Sequence, residues 1–232
     1  MQCSNKYASV IQMAIPVGAR SSPLSRVQVK EVLQALQQYH PLVDFIVHFL
    51  STTGDQDQST SLRTLDKTDF FTKEIDLGIL SGHFRLGIHS AKDLPAPLPK
   101  GLSLICLTKG VDAADVLVLR DGETLASLPS QACIATSSAR REECVKLLRT
   151  DLSFCDLRGT IEQRLAKLER KEADGVVVAE AALIRLGLTH LNRIRLPGPT
   201  AEGQGQLAVV ALEGDQEMRT LFACLDVRKN GS

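Results

Sequence analysis

Tryptophan is absent, and aromatic side chains make up only 4% of the 232 residues. A stacking surface for single-stranded nucleic acid needs several exposed rings, so none is expected here. No charge of either sign predominates: 27 lysines and arginines balance 27 aspartates and glutamates. Without a global basic field, neither DNA nor an anionic membrane is an expected partner, and any anion recognition has to come from local clusters. No apolar run approaches the length of a membrane span. The amino terminus, with one lysine and an apolar stretch interrupted by Ser9 and Gln12, matches a secretory leader poorly. The six cysteines (3, 106, 133, 144, 155 and 224) form no C-x-x-C pair and no zinc-like spacing with the five histidines, so no metal is expected. Cys106, Cys133 and Cys155 fall in apolar runs and read as small buried hydrophobes. These absences point to a cytoplasmic small-molecule protein with reduced thiols; a monomer is the expected state.

What is present is an alternation of strand-like and helical patterns along nearly the whole chain, which predicts an α/β fold. Ala14 to Val17 reads as a first strand. Ser22 and Pro23 then open a helix with Leu24, Val27, Val32, Leu33 and Leu36 as its apolar face. Leu42 to Leu50 reads as a strand, Ser51 to Thr64 as a mobile surface loop, and Thr72 to Leu80 as a short helix. Strand-like runs at 102–107, 116–119, 132–135, 152–157, 175–179 and 206–212 follow, interleaved with helices. One of these helices opens on the capping box Thr160 to Gln163. Met218, Leu221, Phe222 and Leu225 mark a last helix. Gly110 and Pro197-Gly198-Pro199 are the expected crossings between two lobes, 1–109 with 202–232, and 110–201.

Phe84 to Ile88 reads as a short buried strand, and the prolines at 95, 97 and 99 forbid a continuous helix or inner strand beyond it. Lys92 and Asp93 therefore lie on a stiffened loop at a strand's carboxyl end, where ligands sit in open α/β sheets. On those residues alone, a solvated turn is the commoner role.

Arg20, Arg140, Arg141, Arg158, Arg164 and Arg185 all fall where strands hand over to helices. Guanidinium groups hold carboxylates bidentately, and helix amino termini add free N–H donors. If these loops converge, they cradle a polyanion. Taken singly, each arginine is as well explained by solvation or by a glutamate such as Glu142 or Glu162. Thr136-Ser137-Ser138 reads at least as a helix cap. Gly203-Gln204-Gly205 reads as a turn and is too short for a dinucleotide fingerprint.

These stretches resemble the porphobilinogen deaminase (hydroxymethylbilane synthase) family of tetrapyrrole biosynthesis. The matching segments are Gly18 to Leu24, His89 to Pro95, Thr136 to Arg141, Asp156 to Thr160, Arg164 to Leu168, Ala182 to Leu188 and Gly203 to Gly205, in the family's order. The resemblance implies two lobes like those of a periplasmic binding protein, with a cleft between them and two hinge crossings. It implies a transferase that joins four porphobilinogen units with ammonia release, and a dipyrromethane cofactor. By the same resemblance Arg20, Arg140, Arg141, Arg158, Arg164 and Arg185 bind the acetate and propionate groups. Ser22, Ser90, Lys92, Thr136, Ser137, Ser138, Gly159 and Gln204 would assist them. Asp93 would be the catalytic carboxylate. It would stabilise positive charge on pyrrole nitrogen as ammonia departs and the azafulvene-like electrophile meets the free α-carbon of the chain.

The chain also departs from the family. The family's third domain carries the cofactor on the cysteine of a Gly-Gly-Cys-like loop, whereas this chain stops at Ser232, so a shortened form is expected. Cys224 is the nearest cysteine but falls on the last helical pattern and is expected to be structural, which leaves the attachment point open. Asp66 to Glu74 replaces a glycine-rich lysine loop, and Thr160 stands where the family usually has Asn. Two other readings stay open: a non-catalytic two-lobed receptor for an anionic pyrrole or other polycarboxylate, and a generic effector domain of binding-protein type.

Overall fold

Short runs rich in Val, Ile and Leu, bounded by Gly, Pro and Asp, build two separate sheets. The structure, a computed structural model, describes residues 14–57 and 68–230. Cys3 and the leader-like residues, positions 58–64 of the expected loop, and Asp66 and Lys67 lie outside the described residues.

In chain order the elements are β1 (Ile15–Arg20), α1 (Pro23–Gln37), β2 (Phe45–Leu50), α2 (Thr53–Gln56), α3 (Lys73–Leu80), β3 (Leu86–Ser90) and β4 (Leu102–Leu107). Then come β5 (Asp115–Val118), β6 (Cys133–Ala135), α4 (Ala139–Lys146), β7 (Ser153–Cys155), α5 (Ile161–Glu169), β8 (Gly175–Ala179), α6 (Glu180–Arg185) and β9 (Arg193–Arg195). β10 (Leu207–Leu212) and α7 (Gln216–Leu221) close the series.

The first sheet runs β2-β1-β3-β10-β4 and the second β7-β6-β8-β5-β9. In each, three parallel strands are followed by one antiparallel strand: β10, which returns to the first sheet after the second is complete, and β5, which opens the second. The chain therefore crosses twice, between β4 and β5 and between β9 and β10. The crossings touch, with the Val111 N–H donating to the Gly205 carbonyl at 3.3 Å. Gly205 sits at φ +86°, and a Cβ there would collide with the Asp112 carbonyl, so the close approach requires glycine.

Helices cover both faces of each sheet, which is why the central strands are apolar along their length. α1 and α7 pack on one face of the first sheet, with Val29, Val32, Leu36, Met218 and Phe222, and α3 packs on the other with Ile75 and Ile79. In the second sheet, Ile161 and Leu168 of α5 and Leu183 of α6 oppose Val145 of α4 across the strands.

Several expectations need correction. The core position of α1 is held by Val29 and not Val27, because the buried stripe runs Ser25, Gln28, Val29, Val32, Leu36 and a step of two residues turns about 200° away. Leu42 lies exposed in a turn, and the strand begins only at Phe45. Part of the expected mobile loop is helical: α2 is closed by reciprocal bonds between Thr52 and Asp55. The last helix stops at Leu221, and a 3-10 turn, Phe222–Cys224, replaces its continuation. Cys106 is buried, but Cys133 and Cys155 are only half-buried and face each other across β6 and β7 at 2.8 Å. Among the described residues, no helix is long and apolar enough to cross a membrane.

Candidate active site

The carboxyl ends of the parallel strands in the two sheets face one cleft of about 820 Å³. The first sheet contributes Arg20 and Ser22 after β1, and Ser90, Lys92 and Asp93 after β3. The second contributes Ser137 and Ser138 after β6, Arg140 and Arg141 in the first turn of α4, Arg158 and Gly159 after β7, and Arg164 on α5. Gln204 enters from the second crossing. Two expected residues are not brought to this cleft. Thr136 is buried behind it, its N–H donating to the Cys155 carbonyl at 2.9 Å. Arg185 turns toward α1, where Nε and Nη2 donate to Glu31 at 2.7 and 3.0 Å and Nη2 also to the Gly205 carbonyl at 2.9 Å.

Local chemistry sets each cleft side chain. Ser22 and Ser138 accept from the N–H groups of Ser25 and Arg141 as caps of α1 and α4. Ser90 accepts from Gln28 Nε2 at 2.8 Å. Ser137 clasps the backbone of Leu157, donating at 3.0 Å and accepting at 2.7 Å. Gly159, at φ +92°, makes the left-handed turn into the Thr160–Gln163 capping box, where a Cβ would strike the Gln163 side chain.

The cations differ in how far they are already paired. Arg20 is held bidentately by Asp55 and lies over the Phe71 ring, 4.6 Å from its centroid. Burial pushes the Asp55 carboxyl up, but Arg20 and Thr52 outweigh it and hold it below its ordinary value. Arg140 and Arg141 share the buried carboxylate of Asp115, to which Gln204 Nε2 also donates at 2.9 Å. Arg158 donates from Nη2 to the carbonyls of Gly54, at 3.2 Å, and Asp57, and lies near Phe70, while its buried Nη1 has no partner.

Besides the free edge of Arg158, three groups remain for a ligand. Lys92 donates to Gln204 Oε1 at 3.3 Å; burial, helped by Arg141 and Arg164, pushes its pKa down to about 8. Burial and the neighbouring guanidiniums push Arg164 down to about 10, which leaves it charged at neutral pH. No side-chain hydrogen bond from a described residue reaches the Asp93 carboxylate, although Lys92 and Arg164 both feel its charge. The cleft thus sets under-neutralised cations around the open Asp93 carboxylate.

Asp55 and Asp115 are partners of the cleft arginines that the sequence does not single out, and His89, the first residue of the His89–Pro95 stretch, is given no site role by it. Asp115 opens β5 at a crossing, and no local pattern links it to arginines 25 residues on. His89 lines the cleft but is buried; burial and Arg20 push its pKa down to about 4, so it is neutral at physiological pH.

Residues 15–220 match the family model described as "Porphobilinogen deaminase, dipyromethane cofactor binding domain". The chain belongs to the porphobilinogen deaminase family. It is similar to the porphobilinogen deaminase of Streptococcus sanguinis (strain SK36), with 37% identity over 225 residues, covering 94% of this chain and 74% of that one. A protein named "Probable porphobilinogen deaminase" in Chlamydia muridarum (strain MoPn / Nigg) is 36% identical over 219 residues, covering 94% of this chain and 90% of that one. Among solved structures, a periplasmic substrate-binding protein of an ABC transporter from Coxiella burnetii has a TM-score of 0.56 at 16% identity, over 91% of each chain. That likeness shows the fold alone, a two-lobed α/β architecture.

A polycarboxylate cofactor of this family suits the donors present. Lys92, Arg164 and the unpartnered Arg158 Nη1 lack full counter-charge. Among the described residues no cysteine lines the cleft. Cys224 is exposed on its 3-10 turn, its thiol near the Leu221 carbonyl at 3.5 Å, with Phe222 anchoring that turn in the first sheet's core.

Proposed function

We propose that this chain is a porphobilinogen deaminase, a transferase that joins four porphobilinogen units head to tail, releases ammonia at each step and yields linear hydroxymethylbilane. One observation carries the reading: the Asp93 carboxylate, which no side-chain hydrogen bond from a described residue reaches, stands in a cleft walled by ammonium and guanidinium groups from both sheets. A receptor for a polycarboxylate needs the cations but has no use for the aspartate, which repels such a ligand.

The substrate's acetate and propionate groups pair with Lys92, Arg164 and the free edge of Arg158. The aminomethyl carbon–nitrogen bond then breaks, its electron pair leaves with nitrogen as ammonia, and the ring nitrogen feeds electrons to the exocyclic carbon. Positive charge grows on the ring N–H, and the fixed Asp93 carboxylate offsets it. The free α-carbon of the neighbouring pyrrole forms the new carbon–carbon bond and then sheds its proton, for which Asp93 is the acceptor in reach.

A bound dipyrromethane would supply the first free α-carbon. The cleft cations would hold its carboxylates, and since no described cysteine lies there, we infer that ion pairing contributes much of that grip. The lobes of this reading are residues 1–109 with 202–232, and 110–201, and the chain acts as a cytoplasmic monomer.

The test is incubation of the purified chain with porphobilinogen, reading ammonia and, after oxidation, porphyrin. Turnover is expected in the wild type and its loss in Asp93→Ala, with unchanged circular dichroism. Saturable binding without ammonia from the wild type would establish the receptor instead.

A further inference from the structure

Outside the cleft a second depression of about 470 Å³ is lined by Asp156, Arg158, Gln163, Lys167 and Arg170. Arg158 and Gln163 line the main cleft as well, so the two spaces share a wall. Gln163, Lys167 and Arg170 follow one another at helical spacing along α5 and its C-cap, so one face of the helix leads away from the cleft. Arg158, Lys167 and Arg170 against Asp156 and the neighbouring Glu172 leave the depression with one positive charge in surplus. Lys167 and Arg170 are both held by the same exposed acid, Glu172, at 3.2 and 2.6 Å. Such pairs on a wet surface are weak and exchange readily for another carboxylate.

The cleft itself is short of free cations. Asp55 occupies Arg20, and the single Asp115 carboxylate is shared by Arg140 and Arg141, which leaves one positive charge in surplus on that pair besides Lys92, Arg164 and one edge of Arg158. Every condensation adds a further acetate and propionate, so the demand for positive charge rises with chain length while the supply inside stays constant.

We propose that the lengthening pyrrole chain is drawn past Arg158 as it grows, so that units already joined, displaced from Asp93 by each new one, lay their carboxylates on Lys167 and Arg170, an elongation subsite on the outer face of α5. The proposal rests on the deaminase reading. The subsite takes any linear ligand with regularly spaced carboxylates, and its contribution grows as units are added.

The test follows porphobilinogen turnover by the full chain in rapid-quench experiments, counting ammonia and reading the lengths of bound pyrrole chains by native mass spectrometry. In the double variant Lys167→Glu, Arg170→Glu the loss is expected to increase with each unit, reaching about tenfold at the last condensation, so that short chains accumulate. Glu172→Gln, which releases both cations, is expected to shift the population toward longer bound chains. A loss uniform over all lengths, or length distributions equal to wild type in both variants, overturns the subsite while leaving the deaminase reading intact. No ammonia from the wild type overturns that reading and the subsite with it.

Discussion

Asp115 holds Arg141 through one carboxylate oxygen, which accepts from Nε at 2.9 Å and Nη2 at 2.6 Å. Its other oxygen takes Arg140 at 2.7 Å. A residue that begins a strand at the crossing thereby fixes two arginines of α4 at the cleft wall. The carboxylate is almost wholly buried, so its charge is tolerable only because these partners surround it.

Asp115→Ala is expected to cost about 3 kcal/mol, because it strands two guanidiniums without their counter-charge. Burial pushes the Asp115 carboxyl up, but Arg141 and Arg140 outweigh it and hold it below the ordinary aspartate value. A folded-state pKa below the unfolded one gives stability that is present above the ordinary value of about 4 and lost as pH falls through the lowered one. Urea midpoints measured from neutral into acid should therefore fall less steeply in Asp115→Asn than in wild type. Parallel pH curves would contradict this.

Lys92 makes the ligand affinity pH-dependent on the alkaline side. Its pKa is pushed down to about 8, so the free protein loses that positive charge as pH rises through this value. A bound carboxylate favours the charged form, so binding takes up a proton above pH ~8 and weakens there. KM for porphobilinogen is expected to rise on that limb in wild type. Lys92→Arg should move the limb to higher pH, and a limb unmoved by that change would assign it to another group.

Arg185 tests whether an arginine of the cleft family acts by touching ligand or by joining elements. Its ion pair with Glu31 links α6 to α1. Arg185→Ala and Glu31→Gln are each expected to raise KM, and in a double-mutant cycle to couple by about 1 kcal/mol in stability. Direct ligand binding would instead make Arg185→Ala severe, leave Glu31→Gln silent and give no coupling.

Cys224→Ser is expected to retain turnover and the same intact-mass distribution, since the thiol lies on an exposed turn away from the cleft. A mass increment of two pyrrole units, present in wild type and lost in the variant, would place the cofactor there.

The α/β pattern and the capping residues were legible because they depend on local chemistry. Ser22 with Pro23 and Thr160 with Gln163 act within a single helical turn, and both caps form as their spacing predicts. Within the polar stretch after Leu50, the helix Thr53–Gln56 is not legible in the sequence because what orders it is distant. Glu74 holds Thr53, Arg20 holds Asp55, and Arg158 reaches the carbonyls of Gly54 and Asp57. Composition over a dozen residues contains no record of those partners.

By itself the sequence determined most of the strand and helix pattern, where the capped helices α1 and α5 start, and which residue types stand at strand ends, because those are settled within a few bonds' reach. Tertiary structure decided which cations remain available. Arg20, Arg140, Arg141 and Arg185 look alike in sequence, yet Asp55, Asp115 and Glu31 engage them, one carboxylate serving both Arg140 and Arg141, whereas no carboxylate side chain is bonded to Lys92 or Arg164 beside Asp93. The reason is physical: the Coulomb energy of a charge depends on its distance to every other charge and on the protein packed between them, and only the folded chain sets either.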